Sequence, residues 1–557
     1  MHTCAFGYVG FYSATFQLVN RKLREGHLGG LDLITVRRRL WQTDSSMWRI
    51  AFLFMASLAA TWCQTYSERY RPQFHFSPRH NWTNDPNGLV WFDGEYHLFY
   101  QYNPSGDTWG HMSWGHAVSR DLVRWEELPV ALAEENGVMI FTGSTVVDVR
   151  NTSGFCAAGK PCLVAVYTGH TPRAANGKPL QTQNLAYSND RGRTWTKYSS
   201  NPVLDLKMSD FRDPQVFWST AARRWIMVVA LPNEHKVLFY GSADLKQWER
   251  LSEFGPAGAT GGQWECPTLT EVPVEGSSPR RTRWVLKIGL NPGGLQGGSG
   301  EQYFVGSFDG AAFVNDNPPP SVLWTDYGKD CYCALTFNNL PPTELPVMLG
   351  WMNNWQYAGK VPTAPWRGQM TVPRRLQLRP GPGGLRLVQQ PVESIRALRQ
   401  KRFSWSGKEA DGLNAALRAR RASRTSFELR ATFPAGTEAG TGWKLEGSGG
   451  TYITVGYDPR KREIFIDRTH SGDTGFSPQF PARTAAPLIP GREALDLVVL
   501  VDRSTIEVFA QRGEVAITSL FYPPEGAMTP QFFAPSGRPG QISVELWDLA
   551  STWPAPR

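Results

Sequence analysis

Three short acidic motifs carry the chemistry this sequence offers. The first is His80-Asn81-Trp82-Thr83-Asn84-Asp85-Pro86-Asn87-Gly88. The second is Phe211-Arg212-Asp213-Pro214, and the third is Gln263-Trp264-Glu265-Cys266-Pro267. Each sets a carboxylate beside a proline and next to an indole, an amide or a guanidinium. Three such groups fit the nucleophile, acid/base and charge-stabilising set of a sugar-cleaving enzyme. Taken alone, each has a plainer reading. Asp85 caps a Pro86-Asn87-Gly88 turn, Arg212-Asp213 is a surface ion pair, and Glu265 ends a strand. The catalytic reading therefore needs a fold that brings positions 85, 213 and 265 together.

The intervening sequence predicts such a fold. From residue 85 to about 375 the pattern is β. Leu89 to Phe92 and Tyr96 to Gln101 flank the hairpin signal Asp93-Gly94, and Val216 to Trp218 precedes Trp225 to Val229. A loose repeat runs through this region. Ser119-Arg120-Asp121 leads to Trp125, Ser188-Asn189-Asp190 to Trp195, Ser242-Ala243-Asp244 to Trp248, and Ser307-Phe308-Asp309 to Phe313. The spacings, about 54 to 69 residues, suit one four-stranded sheet each, so a β-propeller of four to five blades is expected. A propeller gathers loops from distant blades around one axis. Arg379-Pro380-Gly381-Pro382-Gly383-Gly384 punctuates its end, and the Arg- and Ala-rich stretch 386–424 reads as a connector. Cleaner alternation then returns, as in Glu463 to Asp467 and Thr505 to Phe509, which predicts a β-sandwich. The expected organisation is all-β, with a propeller over 72–385 and a sandwich over 425–550.

Composition agrees with this class. The 557 residues are 41% apolar and 19% charged, and include 22 Trp and 18 Tyr. Indole and phenol rings stack on sugar faces, although they also fill large β cores. Residues 1–49 hold seven Lys or Arg against three Asp or Glu, which is +4 of the formal +9. No basic stripe interleaved with aromatics follows, so nucleic acid is not an expected partner. Met47-Trp48-Arg49 and the apolar run Ile50 to Ala60 resemble a secretory signal peptide over 47–65, with 1–46 upstream of the true start. The run is too short to span a bilayer comfortably, so an exported protein without stable membrane insertion is expected. Of the seven cysteines, Cys156 and Cys162 bracket a short loop suited to a disulfide. Cys331 and Cys333 are too close for an easy mutual bridge, and Cys266 reads as a buried small hydrophobe. The histidines at 75, 80, 97, 111 and 116 show no helical i, i+4 pair, and no Cys spacing suits zinc. No metal or cofactor is expected.

Several motifs in one order carry a family resemblance. They are Trp82 to Gly88, Gln101-Tyr102-Asn103-Pro104, Trp109-Gly110, Trp114-Gly115-His116, Phe141-Thr142-Gly143-Ser144, Phe211 to Pro214, Trp264 to Pro267 and Trp351-Met352-Asn353-Asn354-Trp355. The chain resembles glycoside hydrolase family 32, the invertases, inulinases and levanases, from residue 72 onward. The resemblance implies a five-bladed β-propeller followed by a C-terminal β-sandwich. It implies Asp85 as nucleophile, kept ionised by neighbouring donors, Glu265 as acid and then base, and Asp213 as stabiliser of an oxocarbenium-like transition state. It places Trp82, Asn84, Gln101, Trp109, Phe141, Thr142, Ser144, Arg212 and Trp351 around the substrate. The stretch Trp351 to Arg374 resembles microbial exo-inulinases and levanases more than plant invertases. Thr83 stands where a methionine is common, and Thr268 where an aspartate is frequent. The implied activity is release of terminal fructosyl units from fructan or sucrose. Alternatives are an invertase restricted to sucrose, a fructosyltransferase and, from another class, a silent fructan-binding protein.

Overall fold

The computed structural model describes residues 66–381, 383–419, 425–433, 440–488, 494–524, 528–534 and 540–553. The expected leader and everything before it lie outside these. Residues 81–391 form five antiparallel sheets. Their first strands are Asn81–Phe92, Met139–Asp148, Arg212–Ser219, Gln263–Pro273 and Tyr332–Thr336. Each first strand packs on the next, and the fifth returns to the first, which defines five propeller blades around one axis. Trp366–Arg367 adds to the inner edge of blade 1 in parallel with Asn81–Trp82 and so closes the ring.

The Ser-x-Asp repeat marks the same point in four blades, the exit of the third strand. Ser119 bonds Asp121 at 3.1 Å, Ser188 bonds Asp190 at 2.8 Å and Ser242 bonds Asp244 at 3.1 Å. The Asp121, Asp190 and Asp244 carboxylates then accept backbone N–H groups two to four residues on, and Asp309 does the same. An Asx-type turn there sends the chain into the fourth strand, where the following aromatic begins to pack.

The acidic motifs are not turns between strands. They lie within the first strands, at β-bulges. Asn84 and Asp85 together face one partner position, because Thr83 pairs with Tyr102 and Pro86 with Tyr100. The same irregularity falls at 141–142, 213–214, 266–267 and 333–334, one per blade. Proline cannot donate to a ladder, so within sheets it sits at edges or bulges. Pro214 and Pro267 lie in their bulges, and Pro86 directly follows its own. The turn that Pro86-Asn87-Gly88 suggested is a bulge signal within a strand and not a chain reversal.

The C-terminal part is a β-sandwich of a six-stranded and a five-stranded sheet. The stretch expected as a connector, 386–424, is instead mostly structured. Gly384–Pro391 is the outer strand of blade 5, Arg399–Gly407 is an edge strand of the six-stranded sheet, and Ala410–Ala419 is a helix burying Leu413 and Leu417. Charged residues hide the strand pattern of Arg399–Gly407: Arg402 is exposed and pairs with Glu545, and Arg399 pairs with the buried Glu428 at 2.7 Å.

Buried charges join propeller and sandwich. His75 lies between Asp502 at 3.1 Å and Glu507 at 3.0 Å, all three side chains fully buried. Arg374 of blade 5 donates to Glu507 at 2.5 Å and to Asp326 at 2.9 Å. Arg468 pairs with Asp330, and Asp330 also accepts the Leu520 N–H at 2.8 Å. Burial opposes the His75 charge, but its two carboxylate partners raise its pKa to about 9. Burial likewise opposes the Asp502 and Glu507 charges, and the cations beside them hold both below the usual carboxylate range. The His75 contribution is complete below about 6.5 and is lost as pH rises through about 9. The carboxylate contribution is lost at the acid end, below the ordinary values of 3.8 and 4.5. Thermal unfolding of the wild type should therefore show a stability fall above pH 9. In His75→Ala that alkaline fall should vanish, with stability at pH 6 lower by about 3 kcal/mol. An unchanged alkaline limb in the variant would contradict the assignment.

Candidate active site

Residues from the bulges of blades 1, 2 and 3, with Glu265 beside the bulge of blade 4, line a single pocket of about 370 Å³. Blade 1 contributes Asn84 and Asp85 from its bulge, and Gln101 from the neighbouring strand. Blade 2 contributes Phe141 and Thr142, and blade 3 Arg212 and Asp213. Blade 4 contributes Glu265, beside its bulge. Trp109 reaches the rim from a blade 1 loop and stays 46% exposed.

One guanidinium organises the acidic groups. Arg212 donates to Glu265 Oε1 at 2.9 Å, to Gln263 Oε1 at 2.8 Å and to Asp210 Oδ1 at 2.8 Å, which ties blades 3 and 4 together. The Asp213 backbone N–H donates to Thr168 Oγ1 at 3.0 Å, and its Oδ2 accepts the Cys266 N–H at 2.9 Å. Asp85 Oδ2 accepts from the Thr142 hydroxyl at 3.1 Å, while its buried Oδ1 has no hydrogen-bond partner among the described residues. The Tyr332 hydroxyl of blade 5 donates to Glu265 Oε2. Gln101 is oriented by its bond to the Ile140 carbonyl at 3.0 Å.

Burial pushes the Asp85 carboxyl up to about 7, helped by the charges of Asp213 and Glu265. The hydrogen bonds from Asn84 and Thr142 pull the other way and lose. The expectation that neighbouring donors keep Asp85 ionised is therefore corrected: burial, with the charges of Asp213 and Glu265 behind it, outweighs the Asn84 and Thr142 donors. Burial also raises Asp213, to about 6, against the pull of Arg212 and the Cys266 N–H. Burial opposes the charge on Arg212 too, but Glu265, Asp213 and Asp210 raise its pKa, so the guanidinium is permanently charged. Tyr332 is raised well above its ordinary value by burial and by Glu265, and remains a neutral donor.

Three residues expected at the substrate stand behind the pocket wall. Trp82 is buried and donates its indole N–H to Asn84 Oδ1 at 2.8 Å, so it orients a lining residue. Ser144 accepts the Val216 N–H at 2.8 Å between blades 2 and 3. Trp351 is fully buried against Trp82 and Trp355, and Trp355 takes the place on the wall. Sequence reasoning missed His170, Gln181, Asp210 and Asn291 on the lining, and Tyr332 beneath it. His170 stacks on Phe141 with ring centroids 4.4 Å apart. Only Trp355 had a signal, since it ends the motif that begins at Trp351. Asp210 sits in the bend just before Phe211, and the others lie on strands with no local mark.

Cys156 and Cys162 are bonded, as their spacing allowed. Cys266 is not simply a buried hydrophobe, for it is bonded to Cys333 across blades 4 and 5. Among the described residues, the one group with metal-ligand spacing is Asp85, Cys266 and Cys333, with candidate atoms within 4.8 Å of one another. Both sulfurs are spent on the disulfide, so the group does not fit a thiolate metal site.

Residues 75–391 match the glycosyl hydrolases family 32 N-terminal domain, and residues 392–548 match the family's C-terminal domain. A levanase of Bacillus subtilis is 44% identical over 498 residues, covering 88% of this chain and 72% of that protein. An extracellular exo-inulinase of Aspergillus awamori is 41% identical over 527 residues, covering 89% of this chain and 97% of that protein. The crystal structure of an A. awamori exo-inulinase superposes with a TM-score of 0.80 at 38% identity, covering 88% of this chain and all of that one. A β-fructofuranosidase from Schwanniomyces occidentalis complexed with fructosyl-erythritol superposes with a TM-score of 0.77 at 33% identity, covering 87% of this chain and 99% of that one. Propeller, sandwich and acidic pocket thus agree with both halves of the sequence match, and the chain belongs to glycoside hydrolase family 32.

Proposed function

We propose that the protein is an exported, retaining exo-β-fructosidase that removes terminal fructosyl units from fructan or sucrose. The observation that carries this reading is the convergence of Asp85, Asp213 and Glu265 on one pocket with Arg212 bonded to Glu265. The names of the levanase and exo-inulinase relatives support the substrate class and export. Among the described residues, no helix is long and apolar enough to cross a membrane.

In this reading an Asp85 oxygen attacks the anomeric carbon of the fructosyl unit. Glu265 gives its proton to the glycosidic oxygen, and the leaving sugar departs as an alcohol. Water then attacks the same carbon, Glu265 takes its proton, and Asp85 leaves as a carboxylate. Asp213 and Gln101 hold fructose hydroxyls as positive charge develops on the ring. A bound sugar displaces water and donates its own hydroxyls, which favours ionised Asp85 at the moment of attack. A pocket built from five blades around the axis suits the end of a chain more than its middle, and Trp109 at the rim suits stacking against the next sugar.

Asp85→Asn and Glu265→Gln should each lower kcat on sucrose by about three orders of magnitude or more while circular dichroism stays native. Near-normal turnover in either sinks the assignment. Early in digestion of inulin or levan, fructose should dominate the products, with little fall in polymer length. Intermediate oligosaccharides would instead mean internal cleavage. New higher oligosaccharides at high sucrose would favour transfer.

Thr142→Val removes a hydrogen bond that holds the Asp85 carboxyl down. Its pKa should rise, so the acid limb of kcat/KM should move to higher pH. A limb that stays put or moves down would separate that limb from Asp85.

A further inference from the structure

We infer that the Cys266–Cys333 disulfide is a positioning element of the catalytic carboxylates and not only a staple between blades. The inference deepens the proposed function and rests on its assignment of Glu265 as acid/base. Cys266 directly follows Glu265, and Cys333 directly follows Tyr332, whose hydroxyl donates to Glu265. The covalent bond and that hydrogen bond therefore close one small ring spanning blades 4 and 5. Both cysteines sit at bulges, with left-handed φ values of 49° and 46°, so neither backbone is held by a regular ladder at this point.

Cys266 also reaches the other two carboxyls. Its N–H donates to Asp213 Oδ2 at 2.9 Å. The sulfurs and an Asp85 oxygen lie within 4.8 Å of one another. A disulfide carries no hydrogen, so the two sulfurs offer Asp85 no donor. Two thiols in the same place would present two S–H groups to it. Oxidised sulfur thus leaves the nucleophile under-solvated and fixes the distance between Glu265 and its donor. Ala334, the second residue of the bulge, is held from behind: its N–H donates to Glu301 at 2.9 Å and its carbonyl accepts from Lys287. Loss of the disulfide should therefore disturb Cys333 and Tyr332 more than the blade behind them. Cys266 and Cys333 are 2% and 0% exposed, and the Cys156–Cys162 disulfide lies elsewhere, in blade 2.

The test uses the full chain in a Cys156→Ala/Cys162→Ala background, which leaves one disulfide among the described cysteines. Dithiothreitol reduces it by thiolate attack on one sulfur. The reagent leaves as its cyclic disulfide, and Cys266 and Cys333 each gain a hydrogen. Activity is read before alkylation, and parallel samples are alkylated for mass spectrometry. Fragment spectra must separate Cys333 from the free thiol Cys331, two residues away. Turnover should fall roughly tenfold or more in step with reduction, with KM nearly unchanged, and return on reoxidation by oxidised glutathione. Cys266→Ala/Cys333→Ala should show the same kcat loss and a displaced basic limb in the kcat–pH profile. Full turnover with both residues found as thiols overturns the inference. So does a double variant that loses only thermal stability and keeps kcat and the limb. If the double variant does not fold, reduction of the wild-type cysteines decides. Glu265→Gln is run alongside: if it remains active, the acid/base assignment fails, whereas a dead Glu265→Gln beside an active reduced enzyme overturns only the role of the disulfide.

Discussion

One irregularity, repeated around the axis, underlies the site. Each first strand carries two residues opposite one partner at the same level. A regular strand alternates its side chains between two faces, and both faces of an inner propeller strand are covered by neighbouring blades. A carboxylate there would be buried without water. The bulge breaks the alternation and turns one side chain along the axis instead. Asp85 and Asp213 reach the pocket through this device, and Glu265 stands beside it. In blade 5 the bulge holds no acid, and its neighbour Tyr332 bonds Glu265.

The site and the domain interface handle buried charge in opposite ways. Behind the propeller, His75, Arg374 and Arg468 each meet carboxylates nearly one for one, and the cations beside Asp502 and Glu507 hold both below the usual carboxylate range. In the pocket, Arg212 pairs with Glu265 and attracts Asp213, and burial drives Asp85 and Asp213 toward the protonated form. Full pairing stabilises a fold, whereas incomplete pairing leaves groups whose protonation changes near neutral pH. The sandwich thus contributes rigidity through paired charge, and the propeller keeps its imbalance where a substrate enters.

Much of this was legible in the chain. The Ser-x-Asp repeat needs only local hydrogen bonds, so it marked blade edges correctly. The acidic motifs marked the carboxyls that converge on the pocket because Asp-Pro and Cys-Pro pairs tolerate few backbone settings. What they meant geometrically was misread, since proline punctuates a bulge as readily as a turn. The stretch 386–424 was misread for a related reason. Its strands are edge strands, and arginines on their exposed faces mask a two-residue period.

Sequence alone determined the all-β class and the order of propeller and sandwich, and it singled out the three carboxyls that the fold gathers at one pocket, because each rests on local patterning or on a motif. Tertiary structure alone decided which indole meets the pocket, that Tyr332 is the partner of Glu265, that Cys266 and Cys333 are joined, and that burial overrides local donors at Asp85. These depend on the register between blades. A one-position change in register exchanges the two faces of a strand, and nothing within a single strand records which neighbour it will meet.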